Sequence, residues 1–363
     1  MKANDKKTET ISVDPKNPDT TAIMRAAEII RRGGTVAFPT ETVYGLGADG
    51  FNRDAAKKIY EAKGRPTDNP LIVHIADMDQ ISLVAREIPE RAIRLAGAFW
   101  PGPMTLVFKK KPEVPDETTG FLDTVAVRMP AHPVAARLIK MSGTVIAAPS
   151  ANLSGRPSPT TGKHVIDDLG GRIDMILDSG KASLGLESTI IDVTEEAPVI
   201  LRPGFITEEM IKRVAGRVRT DPAAGENRPG AEKPKAPGMK YRHYAPKGDF
   251  MLFDGEGEAV TAAIAAAAKE KAGEGVRVGI IATAENVSAL EKELSQCGGE
   301  IAILSVGSGK DLAGVAGNLY DVLRRMDELG AEQIYGETFG REDLGRAVMN
   351  RLCKAAGYNI TPV

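Results

Sequence analysis

The residues best suited to chemistry in this chain gather in short polar stretches at the ends of apolar runs. Lys63-Gly-Arg65-Pro-Thr-Asp-Asn69-Pro places two cations two positions apart in a turn stiffened by proline. Cations held that way can converge on one anion. Equally, they can satisfy the last carbonyls of the helix they follow. His74 comes next, inside an apolar stretch, where a lone histidine is more often packed than catalytic. Thr124-Val-Ala-Val-Arg128-Met-Pro has a period of two, so Thr124 and Arg128 share a strand face. An arginine on a buried face needs an anionic partner, from the protein or from a ligand. Ala147-Ala148-Pro149-Ser150-Ala151-Asn152-Leu-Ser154-Gly leaves a strand into hydroxyl, amide and glycine groups. These can cap a helix or donate to phosphate and carboxylate oxygens. Ser158-Pro-Thr-Thr prolongs that loop, and Glu187-Ser188-Thr189 and Arg202-Pro203-Gly204 lie at further strand boundaries. Thr40-Glu41-Thr42-Val43-Tyr44 reads either as a solvated turn or as a ligand loop past a strand end. Together they offer several anion-binding groups, no nucleophile triad and no dedicated metal cage. That set suits holding phosphates and carboxylates more than hydrolysis.

Two familiar nucleotide motifs do not account for the pattern. Gly45-Leu-Gly47-Ala-Asp-Gly50 matches G-x-G-x-x-G, but the nearest apolar strand ends at Phe38, too far upstream for a dinucleotide loop. A glycine-rich loop near another ligand fits better. No G-x-x-x-x-G-K-[ST] sequence occurs, so ATP would have to be held without a P-loop.

The elements that must position these groups alternate. A polar lead-in covers the first 15 to 18 residues. Asp19 or Thr20 caps a helix through Ile23, Ala26, Ala27 and Ile30, which stops at Gly33-Gly34. A strand at 35–38 precedes a loop at 39–50, and Asn52 or Asp54 opens a helix that ends near Lys63-Gly64. Strands are expected at 71–75, 104–108, 125–128, 144–148, 188–193 and 199–201. Helices are expected at 89–99 and 132–141, and Thr207 caps another. Short strands mixed with helices make this region α/β with a mixed sheet. Beyond residue 248 the alternation is strict. Strands at 250–253, 276–282, 301–306 and 333–335 alternate with helices at 259–272, 284–296, 312–329 and 344–356, the pattern of a parallel, doubly wound sheet.

The chain has 363 residues and a formal net charge of −2, and 26% of its residues are charged, an ordinary soluble balance. Its length predicts two domains. Near-neutral charge argues against a polyanion packer, but the total conceals a partition. Residues 212–247 carry ten Lys/Arg against three Asp/Glu, or +7, which leaves about −9 for the rest. Five prolines and four glycines in that segment read as an extended linker. Two cysteines cannot build a disulfide framework or a four-thiolate zinc site, so a reduced, cytoplasmic setting is the simplest expectation. No run of about 18 apolar residues predicts a membrane span.

The ordered motifs resemble one family over nearly the whole chain: the long, two-domain form of threonylcarbamoyl-AMP synthase. The resemblance is carried by Phe38-Pro-Thr-Glu-Thr-Val-Tyr-Gly-Leu-Gly47, the Lys63-Gly-Arg65 pair, Asn69-Pro-Leu-Ile-Val-His74 and Trp100-Pro-Gly-Pro-Met-Thr-Leu106. Val127-Arg-Met-Pro130, Ala148-Pro-Ser-Ala-Asn152-Leu-Ser-Gly155 and Glu187-Ser-Thr-Ile190 extend it. Ala236-Pro-Gly-Met-Lys-Tyr-Arg-His-Tyr-Ala-Pro246 and Met349-Asn-Arg-Leu352 look like marks of the long form. The resemblance implies a YrdC-like domain over 15–211, with a twisted mixed sheet around a concave basic cavity. It further implies a linker over 212–247 that folds across the active site and a smaller Rossmann-like domain over 248–363.

It also implies a reaction in which L-threonine, bicarbonate (or CO2) and ATP give threonylcarbamoyl-AMP and pyrophosphate. Mg2+ accompanies the ATP, and no organic cofactor takes part. The product serves N6-threonylcarbamoylation of the tRNA adenosine next to the anticodon, through downstream transferase machinery. Direct contact with tRNA is possible but not required. Lys63, Arg65, Ser150 and Asn152 resemble the family's catalytic set. Thr42, His74, Arg128, Ala148 and Ser188 would hold L-threonine. Arg65, Asn69, Thr124, Ser150, Ser158, Arg202 and Tyr241 would hold ATP. No general base stands out. Two other classes compete: a nucleic-acid binder using a basic face, with a steep salt dependence, and a carbamoyl-phosphate-using transferase. The latter would need zinc-finger or acylphosphatase-like segments for which this chain has neither the cysteines nor the length.

Overall fold

The computed structural model describes residues 7–224, 243–255 and 257–363. It divides into two compact units, Met1–Ser154 with Ser158–Tyr241, and Gly155–Pro157 with Arg242–Val363.

Eleven strands of the described residues form one sheet in the first unit: β1 Glu9–Ser12, β2 Val36–Phe38, β3 Gly45–Asp49, β4 Ile72–His74, β5 Met104–Lys109, β6 Thr124–Arg128, β7 Ile146–Ala148, β8 Met175–Asp178, β9 Thr189–Asp192, β10 Val199–Arg202 and β11 Arg219–Thr220. Their order is β1-β8-β2-β3-β7-β4-β6-β5-β9-β10-β11. The sheet is mixed: β4 runs parallel to β6, whereas β7 is antiparallel to both β3 and β4. Strands β2 and β7, unbroken apolar runs, are buried throughout, and so is β4, which ends on His74.

Helices clamp this sheet where their sequences say they should. The helix Thr20–Arg31 starts at Asp19, whose side chain accepts from Thr21 N, and its stripe of Ile23, Ala26, Ala27 and Ile30 is buried. It packs on the helix Pro133–Ser142. The helix Arg53–Lys63 is capped by Asn52, which accepts from Asp54 N and Ala55 N. It ends at Gly64 in the left-handed region, with φ of 61°. That cap turns the chain immediately after Lys63 and sends Arg65 back toward β4.

Four expectations give way to the structure. The polar lead-in contains a strand, β1, paired in parallel with β8. It escapes a sequence reading because it is an edge strand of alternating burial, with few apolar side chains. The expected loop at 39–50 contains β3, antiparallel to β2. Its glycines serve close packing: a Cβ at Gly47 would lie 2.6 Å from Ile146 Cγ2 and 2.7 Å from Phe38 Cε1. The polar stretch after Ser158 leads into the helix Gly162–Leu169, capped by Thr161, and then β8. Finally, the basic segment opens with structure, because the helix Glu208–Ala215 runs past residue 212 and β11 pairs with β10.

The second unit has a five-stranded sheet, β12 Asp249–Asp254, β13 Val278–Thr283, β14 Ile301–Gly307, β15 Gln333–Glu337 and β16 Ile360–Pro362, in the order β14-β13-β15-β12-β16. Each pairing is parallel. The four expected helices are present as Gly257–Gly273, Ala284–Leu294, Leu312–Glu328 and Asp343–Ala355.

Candidate active site

Lys63 closes the helix Arg53–Lys63 with its side chain turned inward; it is 1% exposed. Its Nζ donates to the carbonyl oxygen of Ser150 at 2.6 Å and to that of Asn152, and lies 3.5 Å from Asn152 Oδ1. Ser150 Oγ donates to Asn152 Oδ1, and Ser154 N donates to the Lys63 carbonyl oxygen at 2.9 Å. The loop after β7 is further stitched to β3, through Leu46 N to Pro149 O at 2.9 Å and Ala151 N to Tyr44 O at 2.8 Å. Thus Lys63, Ser150 and Asn152 form one bonded cluster. An ammonium in this position chiefly shapes the loop that presents the hydroxyl and amide.

A second cluster surrounds Arg128, at the end of β6. Its Nη1 donates to Thr42 Oγ1 at 2.8 Å and its Nε to Gly102 O at 3.3 Å. Arg128 Nη2 lies 2.8 Å from Glu41 Oε1. Thr42 is itself paired with Thr40, Oγ1 to Oγ1 at 2.8 Å. His74 lies opposite Arg128 in the β4–β6 register and meets Phe38 edge to face. Burial, helped by the Arg128 charge, pushes the His74 imidazole down to about 3, so it is neutral at ordinary pH. On the other side, Thr105 is the register partner of Arg128 on β5, and its Oγ1 is 2.8 Å from Ser188 Oγ. Arg202 donates through Nε and Nη2 to the Ser188 carbonyl oxygen at 3.1 and 3.0 Å. Thr42, His74, Arg128, Ser188 and Arg202 are therefore linked through the sheet.

Arg65 and Asn69 make a third group. Arg65 donates to Asn69 O at 3.1 Å and to Pro70 O at 3.0 Å, folding the Pro-rich turn around its guanidinium. The Asn69 side chain is 1% exposed, yet neither its Nδ2 nor its Oδ1 has a hydrogen-bond partner among the described residues. A buried amide whose donors and acceptor lack partners is uncommon in a folded protein and calls for an explanation. Ser158 donates to Glu187 Oε1. Ala148, on β7, is the register partner of Ile72 on β4, two strands over from Arg128 on β6. Thr124 opens β6 opposite Lys109. Tyr241, with the lid expected of the linker, lies outside the described residues.

Glu41 escaped the sequence analysis as a site residue. Only the spacing of its neighbours pointed to it, since a carboxylate between two threonines reads as solvated, whereas here it is 8% exposed. Among the described residues, no three His, Cys, Asp or Glu side chains converge as a metal site.

A mixed α/β sheet that ties these polar strand ends together defines a protein of the Sua5, YciO and YrdC class. The family model for that class, described as "Telomere recombination", matches residues 28–204, and the model for the threonylcarbamoyl-AMP synthase C-terminal domain matches residues 206–357. The threonylcarbamoyl-AMP synthase of Pyrococcus abyssi is 48% identical over 93% of this chain and 95% of its own length. That of Bacillus subtilis is 46% identical over 93% and 94%. A crystal structure of P. abyssi Sua5 complexed with L-threonine superposes with a TM-score of 0.90 at 46% identity, covering 98% of this chain and 100% of that one. The chain belongs to the threonylcarbamoyl-AMP synthase family, in its two-domain form.

Proposed function

We propose that this protein is a nucleotidyltransferase that converts L-threonine, bicarbonate or CO2, and ATP into threonylcarbamoyl-AMP and pyrophosphate. The observation that carries the assignment of its site is the buried Arg128 cluster, joined through Thr105 to Ser188 and Arg202. It offers a guanidinium and hydroxyls at a point where a small carboxylate can be held. The comparison with a threonine-complexed relative at 46% identity supports the same substrate.

In this proposal Thr42, His74, Arg128, Ala148 and Ser188 receive L-threonine. Neutral His74 orients the substrate through hydrogen bonding rather than charge. The threonine nitrogen, having given up a proton, forms an N–C bond to CO2 with loss of a second proton, or to bicarbonate with loss of water, and the resulting carbamate oxygen attacks the α-phosphorus of ATP. The new P–O bond forms as the bond to pyrophosphate breaks. Lys63 sets the loop that aims Ser150 and Asn152, and Arg65, Asn69, Thr124, Ser158, Arg202 and Tyr241 hold the nucleotide. Positioning and stabilisation of negative charge supply most of the rate in such phosphoryl chemistry. Mg2+ enters with ATP, liganded by its phosphates and water. The product passes to the machinery that threonylcarbamoylates tRNA, and the proposed setting is the cytoplasm. Among the described residues no helix is long and apolar enough to cross a membrane.

The test is pyrophosphate release from ATP and bicarbonate, with and without L-threonine. Release should depend on threonine and vanish in Lys63→Ala, Arg65→Ala and Ser150→Ala. Full activity in all three would overturn the site assignment, and release indifferent to threonine would overturn the reaction.

A further inference from the structure

The pair Glu41–Arg128 holds more hydrogen-bonding capacity than the protein uses. The two side chains are 11% and 5% exposed, and Oε1 and Nη2 lie 2.8 Å apart. The atoms are close but poorly directed: neither Glu41 oxygen and not Arg128 Nη2 makes a hydrogen bond of good geometry. Buried groups with unspent capacity are costly, and a fully desolvated ion pair is stabilising only when its remaining donors and acceptors are also met. Here a donor and two acceptors lack a well-directed partner, side by side, while the Arg128 guanidinium and the Glu41 and Ala131 backbone amides lie near enough to act on the carboxylate's charge.

The arrangement is rigid on the protein side. Thr40 Oγ1 accepts from Thr42 N and Val43 N at 3.2 Å each and donates to Val43 O at 2.6 Å. The Glu41 carbonyl oxygen accepts from Leu184 N at 2.8 Å. Arg128 is held through Thr42 and Gly102. The Arg128 guanidinium is thus tethered at two nitrogens, and the backbone that carries Glu41 is fixed beside it. Burial alone would raise the Glu41 carboxyl, but the Arg128 charge and nearby backbone amides outweigh it and keep the group below the usual carboxylate range. The pair thus presents a full negative and a full positive charge together.

We propose that Glu41 is a specificity residue of the amino-acid pocket: it accepts hydrogen bonds from the α-ammonium of the substrate while Arg128 takes the α-carboxylate. This rests on the placement of L-threonine at Arg128 proposed above. An α-amino acid carries a cationic donor and an anionic acceptor on one carbon, so a single zwitterion meets both sets of unspent groups. A simple carboxylate meets only Arg128 and must face the Glu41 charge beside it. The pair therefore selects amino acids against hydroxy acids of the same shape, by repulsion as much as by attraction. It also fixes the nitrogen that must later be carboxylated.

The experiment compares binding of L-threonine with that of (2S,3R)-2,3-dihydroxybutanoate, in which a hydroxyl replaces the ammonium, by calorimetry on the full-length protein. The wild type should prefer threonine by about tenfold to a hundredfold, the range of one or more charge-assisted hydrogen bonds. Glu41→Gln should weaken threonine and not the hydroxy acid, so that the preference collapses. The KM for threonine should rise while that for ATP stays unchanged. Glu41→Asp, which keeps the charge, should retain the preference. Equal affinity of the wild type for the two ligands would overturn the proposal without any variant, as would an unchanged preference in folded Glu41→Gln. Should the wild type release no threonine-dependent pyrophosphate, the underlying site assignment fails; if release is intact and only the preference is missing, Glu41 alone is wrong.

Discussion

Lys63 Nζ donates to the Ser150 carbonyl oxygen at 2.6 Å across 87 residues of sequence, and so ties a helix C-terminus to the loop that follows β7. The same ammonium reaches the Asn152 carbonyl oxygen, and the whole residue is buried. Lys63→Met keeps the volume and removes the donors. Two carbonyls lose a charged partner away from water, which costs about 1–3 kcal/mol for each group left unsatisfied. Denaturant unfolding should show a loss of about 2–6 kcal/mol for the two carbonyls together, and threonine-dependent pyrophosphate release should fall much further because Ser150 and Asn152 lose their aim. A variant with wild-type turnover would mean that the loop is held by other contacts.

Asn69 predicts the opposite balance between stability and function. Its amide is buried without a hydrogen-bond partner among the described residues. In Asn69→Ala the removal of two unsatisfied polar atoms offsets the small cavity left behind. The free protein should change by less than about 1 kcal/mol. The KM for ATP should nevertheless rise about tenfold, the loss of one ligand hydrogen bond in a dry site. Thermal unfolding with and without ATP separates the two effects: the variant should match the wild type alone and gain less from the nucleotide. A large drop in the stability of the free protein would show that Asn69 is structural.

His74 makes stability depend on pH. Burial and the neighbouring Arg128 depress its folded-state pKa to about 3, against about 6.5 for a free imidazole. The unfolded chain therefore binds a proton that the folded chain refuses. The neutral imidazole is fully compatible with folding above pH 6.5, and stability is lost as pH falls from there toward 3. The loss approaches about 1.4 kcal/mol per pH unit for this one group. His132, also depressed by burial, acts in the same direction. Comparison with His74→Gln isolates the His74 share. Between pH 5 and 7 the variant's unfolding free energy should fall less steeply than that of the wild type. Parallel slopes would mean that His74 titrates normally.

Much of this architecture could be read from the sequence, and the misses share a physical cause. In the second unit the four expected strands and four helices are all present, because each of those strands has an apolar centre and each helix is separated from the next strand by a turn; β16 was missed because Ile360-Thr-Pro362 is a short edge strand with one large apolar residue. In the first unit, Asp19, Asn52 and Thr207 cap the helices assigned to them. Strand β1 was missed because an edge strand such as Glu9-Thr-Ile-Ser buries only alternate residues. Strand β3 was missed because glycine has low intrinsic strand preference and is present there for its neighbours' sake. His74 stood inside an apolar stretch and entered the site only through the family resemblance, whereas the Arg128 and Ser188 positions were visible as polar residues at strand ends. Glu41 was not, since nothing local distinguishes a buried carboxylate from a solvated one. Its burial comes from β6 and the loop before β9, distant in sequence. Tyr241 falls outside the described residues, so the lid expected of the linker stands as it did in the sequence.

Gly47 tests whether the G-x-G-x-x-G segment is a packing device or a ligand loop. A Cβ there meets Ile146 Cγ2 at 2.6 Å and Phe38 Cε1 at 2.7 Å, too close for ordinary contact. Gly47→Ala must push β3 from β7 or displace the Phe38 ring, and overpacking of this kind costs about 1–3 kcal/mol. Gly64 is the useful contrast, because its φ of 61° demands a left-handed residue but nothing lies within 4 Å of its added Cβ. Gly64→Ala should cost only about 1 kcal/mol, from backbone strain. Function should separate the two more sharply. The Phe38 ring that Gly47→Ala displaces packs edge-on against His74, with centroids 5.9 Å apart. That variant should raise the KM for threonine, whereas Gly64→Ala acts on the turn carrying Arg65 and should raise the KM for ATP. If Gly47→Ala instead weakened ATP alone, the segment would be a nucleotide loop and its packing role secondary.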